Sequence, residues 1–130
     1  MHPVIHFKSN RFDVSSEPEN PINPIRGVSL LQWLRERLPK DLGMSEPDAE
    51  DWGWYSYVTW QGRQYLVGAC VHESPDGNHE WVLQVDKNRS FIERLLGRAR
   101  LTEDDYVFAL IMGLISHEPD FTEVSVESGP

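Results

Sequence analysis

Apolar and polar positions alternate with a period of two in three consecutive stretches, about residues 52–60, 63–72 and 80–86. That period predicts half-buried β-strands. Gln61-Gly62 between the first two predicts a two-residue hairpin turn, because glycine accepts the positive φ such turns need. Trp60 then faces Arg63, Val58 faces Tyr65, Ser56 faces Val67 and Trp54 faces Ala69. One face carries Trp52, Trp54, Val58 and Trp60 with Tyr65, Val67, Ala69 and Val71; the other carries Gly53, Tyr55, Tyr57 and Thr59 with Gln64, Leu66, Gly68 and Cys70. The third strand tests this register. Pairing His72 with Glu80 across the loop "ESPDGNH" sets Trp81, Leu83 and Val85 opposite Val71, Ala69 and Val67. All three join the first face, which is therefore the core face; a slip of one residue would turn them outward. Gly68 and Ala69 suggest that an aromatic ring lies across a neighbouring strand that leaves room for it.

Three other stretches follow a helical period. Leu30, Leu31, Leu34 and Leu38 make one apolar stripe, with Gln32, Arg35 and Glu36 facing water and Pro39 as the stop. Ser29 with Gln32 predicts a capping box at its start, flanked by Val28 and Trp33 as a hydrophobic staple. Ser90 with Glu93 predicts a second box, opening "FIERLL" with Gly97 as its left-handed cap. Thr102 with Asp105 predicts a third, with Leu101 and Tyr106 as staple and the helix running to about Ser116. This last helix is apolar almost all round and is expected to be the central, most buried one.

The remaining segments are a strand at 4–9, extended towards Phe12 and Val14, and a strand at 121–127. "SSEPENPINPIRG" reads as an extended polar connection and residues 39–51 as an acidic loop. The expected fold is a single α+β domain over residues 1–130. It comprises a mainly antiparallel four- to five-stranded sheet with three helices packed on one face, in the order β-α-β-β-β-α-α-β. The last strand pairs at an edge, with the N-terminal strand or the first hairpin strand.

Composition narrows the function. Twelve basic against 21 acidic side chains leave a net charge of −9, which opposes nucleic acid and anionic membrane and is compatible with a basic protein partner. The longest apolar run, residues 106–115, is too short to span a bilayer. With one cysteine, Cys70, and no recognisable signal segment, a reducing cytoplasmic setting is expected.

Candidate chemistry is sparse. His72 and His79 flank one loop and, with Glu73, Asp76 or Glu80, are candidate metal ligands, although the spacing matches no zinc motif. Cys70 sits mid-strand without an adjacent base and reads as a structural thiol. No catalytic residue and no cofactor are predicted. Two features point to recognition instead: the acids Glu46, Asp48, Glu50 and Asp51 that lead into the first long strand, and Tyr55 and Tyr57 on the sheet face away from the core.

The run Glu50-Asp51-Trp52-Gly53-Trp54 resembles a signature of small, acidic bacterial α+β proteins, some of which are similar to immunity proteins encoded beside secreted toxins. The resemblance spans residues 27–85 loosely and implies a partner-binding role, with no catalytic residues. The reading is thus a non-enzymatic protein-binding module, of the immunity-inhibitor type. Its binding residues are Glu46, Asp48, Glu50, Asp51, Tyr55 and Tyr57, and its partner is a basic protein. The alternatives are a small-molecule or divalent-metal-binding protein built on His72 and His79, and a homodimer formed through the polar-aromatic sheet face.

Overall fold

The computed structural model describes residues 3–128. The elements run β1 (Pro3–Ser9), α1 (Val28–Arg37), β2 (Asp48–Glu50), β3 (Gly53–Trp60), β4 (Arg63–His72), β5 (His79–Lys87), α2 (Phe91–Leu95), α3 (Tyr106–Ser116) and β6 (Thr122–Ser128). The fold is α+β, with one antiparallel sheet of six strands in the order β2-β3-β4-β5-β1-β6. The strand beyond the expected four or five is β2, in what the sequence pattern reads as the end of a loop. β1 inserts between β5 and β6, so the last strand lies at the edge beside the N-terminal one. Phe12 and Val14 fall outside β1.

The β3–β4–β5 registers match the sequence expectation pair for pair: Trp54 with Ala69, Val58 with Tyr65, Val71 with Trp81 and His72 with Glu80. Gln61 and Gly62 both have positive φ (50° and 75°), as a tight turn between twisted strands demands. The core face is buried as drawn, with Trp54, Val58, Tyr65, Val67, Ala69, Val71, Trp81, Leu83 and Val85 all inside, and Trp60 is partly buried against the core. Trp52 is the exception. It sits in the two-residue turn Asp51-Trp52 between β2 and β3, outside any strand, so strand alternation does not govern it; its ring lies over Gly68 on the opposite face.

α1 and α3 supply the layer on the core face. Leu30, Leu31, Leu34 and Leu38 are buried as the stripe predicts, together with Trp33. α3 is less enclosed than its composition suggests: Val107, Phe108, Ile111 and Ile115 are buried, while Leu110, Met112 and Leu114 are partly exposed. α1 therefore holds the central place. α2 has no buried residue and is joined to β4 through the Arg63–Glu93 ion pair, so it is not part of the packed layer. An aromatic cluster closes the core, with Phe7 stacked on Phe121 at 4.3 Å, Trp33 at 4.9 Å from Phe121, and Phe12 edge-on to Trp81 at 5.0 Å.

Two of the three expected helix caps are made differently. Gly27, not Ser29, is the N-cap of α1, and the orphan amides of Gly27, Val28 and Ser29 donate to the Glu17 carboxylate, as does the Ser29 hydroxyl. A carboxylate from ten residues upstream thus does the work of the expected box, and carries the negative charge that a helix N-terminus favours. α3 begins at Tyr106 with Asp105 as its N-cap, accepting from Val107 N–H and Phe108 N–H. Only the Ser90–Glu93 box forms as predicted, with Gly97 left-handed beyond it (φ 66°). The proline-rich connection is also more than a spacer. Asn20 is buried; its amide nitrogen donates to Glu50 O and Gly53 O, and its oxygen accepts from Ile22 N–H and Asn23 N–H. Asn23 donates to Asp51 O, so residues 20–23 clamp the β2–β3 turn.

Candidate protein-binding face

One side of the sheet is covered by helices and the other is open. Along the open side the outward positions are Asp48 and Glu50 of β2, Tyr55, Tyr57 and Thr59 of β3, Gln64 and Leu66 of β4, and Val82 and Gln84 of β5, all at least partly exposed.

The β2–β3 register brings the acids and tyrosines together. Asp48 is the direct cross-strand partner of Tyr55, and Glu50 follows on the same face. Tyr55 and Tyr57 meet edge-to-face with centroids 5.5 Å apart, a favoured aromatic geometry. Partial desolvation raises the Tyr55 phenol above its ordinary value, with Asp48, Tyr57 and Glu50 adding in that order. The phenol therefore stays neutral and available as a hydrogen-bond donor beside two carboxylates. Asp48 accepts from the Ala49 amide at 2.8 Å and Glu50 from the Asp51 amide at 3.0 Å. Asp48 so covers an amide of the short edge strand, a device that discourages pairing with another strand, while Glu50 bonds an amide of the turn that follows.

The other two acids lie apart from this group. Glu46 precedes β2 and reaches Arg35 of α1 at 3.8 Å, on the helical side. Asp51 is exposed in the clamped turn.

Next to the tyrosines, the Trp52 ring covers Gly68 and walls a cleft of about 340 Å³ floored by Gly68, Ala69 and Cys70 and bounded by Val82 and Gln84. Trp52 is a member of this face that strand alternation assigns to the wrong side; the signal for it in the sequence is Gly68, whose missing side chain makes room for a ring. Burial pushes the Cys70 thiol up, which keeps it protonated and unreactive near neutral pH.

The metal candidates are not brought together. His72 and Glu80 pair across β4 and β5, but His79 is one residue out of phase and its Nδ1 accepts from the Ser74 amide at 2.9 Å. Among the described residues no group of three or more His, Cys, Asp or Glu side chains is placed to hold a metal ion. A histidine that sequence reasoning passes over does find carboxylates: His6 lies 3.9 Å from Glu80 and 3.6 Å from Glu127. Only the sheet order, which sets β1 between β5 and β6, creates that group. Among the described residues no helix is long and apolar enough to cross a membrane.

No protein-family model, no curated protein and no solved structure matches this chain.

Proposed function

We propose that this protein is a non-enzymatic binding module that takes a basic protein partner on the open sheet face at the β2 edge. The observation that carries this reading is the placement of Asp48 and Glu50 beside the Tyr55–Tyr57 pair. Tyrosines bring contact area at low entropic cost, and flanking carboxylates select and steer a cationic partner. The chain's net charge of −9 adds long-range attraction. The Asp48 carboxylate folded over the Ala49 edge amide favours docking on the face over strand addition. A small acidic module that binds a basic protein fits an immunity-type inhibitor, the role implied by the Asp-Trp-Gly-Trp resemblance. The cytoplasm is the compartment in which such an inhibitor would act.

The test is affinity capture from the source cell at low salt. It compares the native chain with Asp48→Lys/Glu50→Lys and with Tyr55→Ala/Tyr57→Ala. The expected partner is basic, is released by salt, and is lost from both variants. A partner held equally by all three proteins overturns the assignment of this face. A toxin-like gene beside this one would support the inhibitor role.

A further inference from the structure

α2 presents its apolar side to solvent. Phe91, Ile92, Leu95 and Leu96 are 77%, 64%, 71% and 56% exposed. Positions i, i+1, i+4 and i+5 of a helical turn form one continuous stripe, the side that a surface helix ordinarily turns to the core. The helix is nevertheless held firmly in place, by polar contacts. Arg63 of β4 grips Glu93 with two hydrogen bonds of 3.0 and 2.9 Å. The Arg63 guanidinium also donates to Asn88 O, and Asn88 N–H donates to Gln64 O. Ser90 and Glu93 complete the capping box. An apolar stripe carried on a polar bracket is presented outward, and exposed apolar patches of this kind mark interaction sites.

Charge identifies what the stripe takes. Arg89, Arg94, Arg98 and Arg100 surround α2, whose own carboxylate, Glu93, is engaged by Arg63. Lys87 is paired with Asp105 and adds nothing to this group. Arg94, Arg98 and Arg100 are exposed; Arg94 lies on α2, and Arg98 and Arg100 follow its left-handed end at Gly97. We infer that α2 is a second docking site, for an amphipathic acidic helix of another protein. The partner would lay its apolar stripe along Phe91, Ile92, Leu95 and Leu96 and its carboxylates on the flanking arginines. Paired helices set their partner choice by flanking charges in the same way.

The site is separate from the acidic face. α2 is tied to the Trp60–Arg63 end of the first hairpin and the acids to the Gly53 end of β3, about 23 Å away at the rise of an extended strand. A narrow acidic helix feels mainly the local positive field, because salt screens charges beyond about 8 Å. An anionic bilayer is broad and would also meet the acidic remainder of the surface.

The test uses the full chain and a fluorescent synthetic helix with leucine at i, i+3, i+4 and i+7 and glutamate elsewhere, read by anisotropy. The variants are Phe91→Ser/Leu95→Ser and Arg94→Glu/Arg98→Glu; all four side chains are exposed, so both proteins should melt with the native one. Binding by the native chain that weakens with salt, and is about tenfold or more weaker in each variant, supports the site. Absence of binding by the native chain, or equal binding by the variants, overturns it. Two further results overturn the choice of partner: stronger association with phosphatidylserine vesicles than with the peptide, and self-association in sedimentation equilibrium that the Phe91→Ser/Leu95→Ser change abolishes. Neither result bears on capture through Asp48 and Tyr55.

Discussion

The Trp52 ring lies across the backbone of Gly68, so closely that a Cβ on that glycine would come 2.5 Å from Trp52 Cη2 and 2.7 Å from Cζ3. Trp52 is fixed from the other side by the turn that Asn20 and Asn23 clamp. Gly68→Ala should therefore dislodge the ring at a cost of about 1–3 kcal/mol, the range for overpacking. In a Trp52→Ala background the same change should cost far less. Chemical denaturation of the four proteins in this cycle measures the coupling; additive effects would mean that the ring and glycine do not depend on each other.

Glu17 caps α1 from outside the helix. Glu17→Ala should remove about 1–2 kcal/mol, at the upper end for a lost N-cap, because three backbone amides lose their acceptor together. Gln32→Ala should change stability by less than about 0.5 kcal/mol, as expected for an exposed side chain. Urea melts of the two variants distinguish this cap from a Ser29–Gln32 box, which would give comparable losses.

Asp105 ties α3 to the sheet. Its Oδ2 accepts from Tyr65 OH at 3.0 Å and Lys87 Nζ at 3.1 Å, while Oδ1 caps the helix. Burial, followed by the hydrogen bond to Asp105, raises the Tyr65 phenol well above its ordinary value, so it remains a donor to the carboxylate. Asp105→Ala strands a largely buried lysine and should cost about 3–5 kcal/mol, the penalty for breaking one side of a buried pair. Thr102→Ala, at the position expected for the cap, should stay within about 0.5 kcal/mol. Thermal unfolding of both proteins checks the contrast.

The bracket under α2 should fail in acid. The Arg63 guanidinium, and then the Ser90 amide, hold the Glu93 carboxyl down at about 2, below its usual 4.5. A carboxylate depressed in the folded state contributes its stabilisation above the unfolded value and loses it as pH falls through the folded one. Amide protection factors in residues 90–96, with the pH dependence of intrinsic exchange divided out, should therefore fall between pH 4.5 and about 2, and Arg63→Gln should show the lower protection already at neutral pH. Unchanged exchange in that variant would show that Arg63 does not hold the helix.

How much of this was legible in the chain depends on the range of each contact. The register of β3, β4 and β5 could be read because strand alternation and a two-residue turn are local rules, and a buried face punishes any slip. The stripe of α1 could be read for the same reason. The Ser90–Glu93 box forms because both partners lie within one turn of each other. The α1 cap could not be read, because Glu17 reaches the helix start from ten residues upstream. The α3 cap is local, Asp105 bonding amides two and three residues on, and is missed because the sequence pattern places the helix start one turn too early. The acids and tyrosines of the candidate face were visible as residue types, but Glu46 belongs with Arg35 on the helical side, and only the β2–β3 pairing sets Asp48 against Tyr55.

By itself, the sequence determined an antiparallel α+β chain, its central hairpins, its core-facing row and its acidic excess, all of which follow from periodicity and composition over short windows. The tertiary structure alone decided that β1 lies between β5 and β6, that Trp52 crosses to the open face, and that α2 faces outward. Each of these depends on contacts between residues distant in sequence, where closing the chain and packing side chains outweigh local preference.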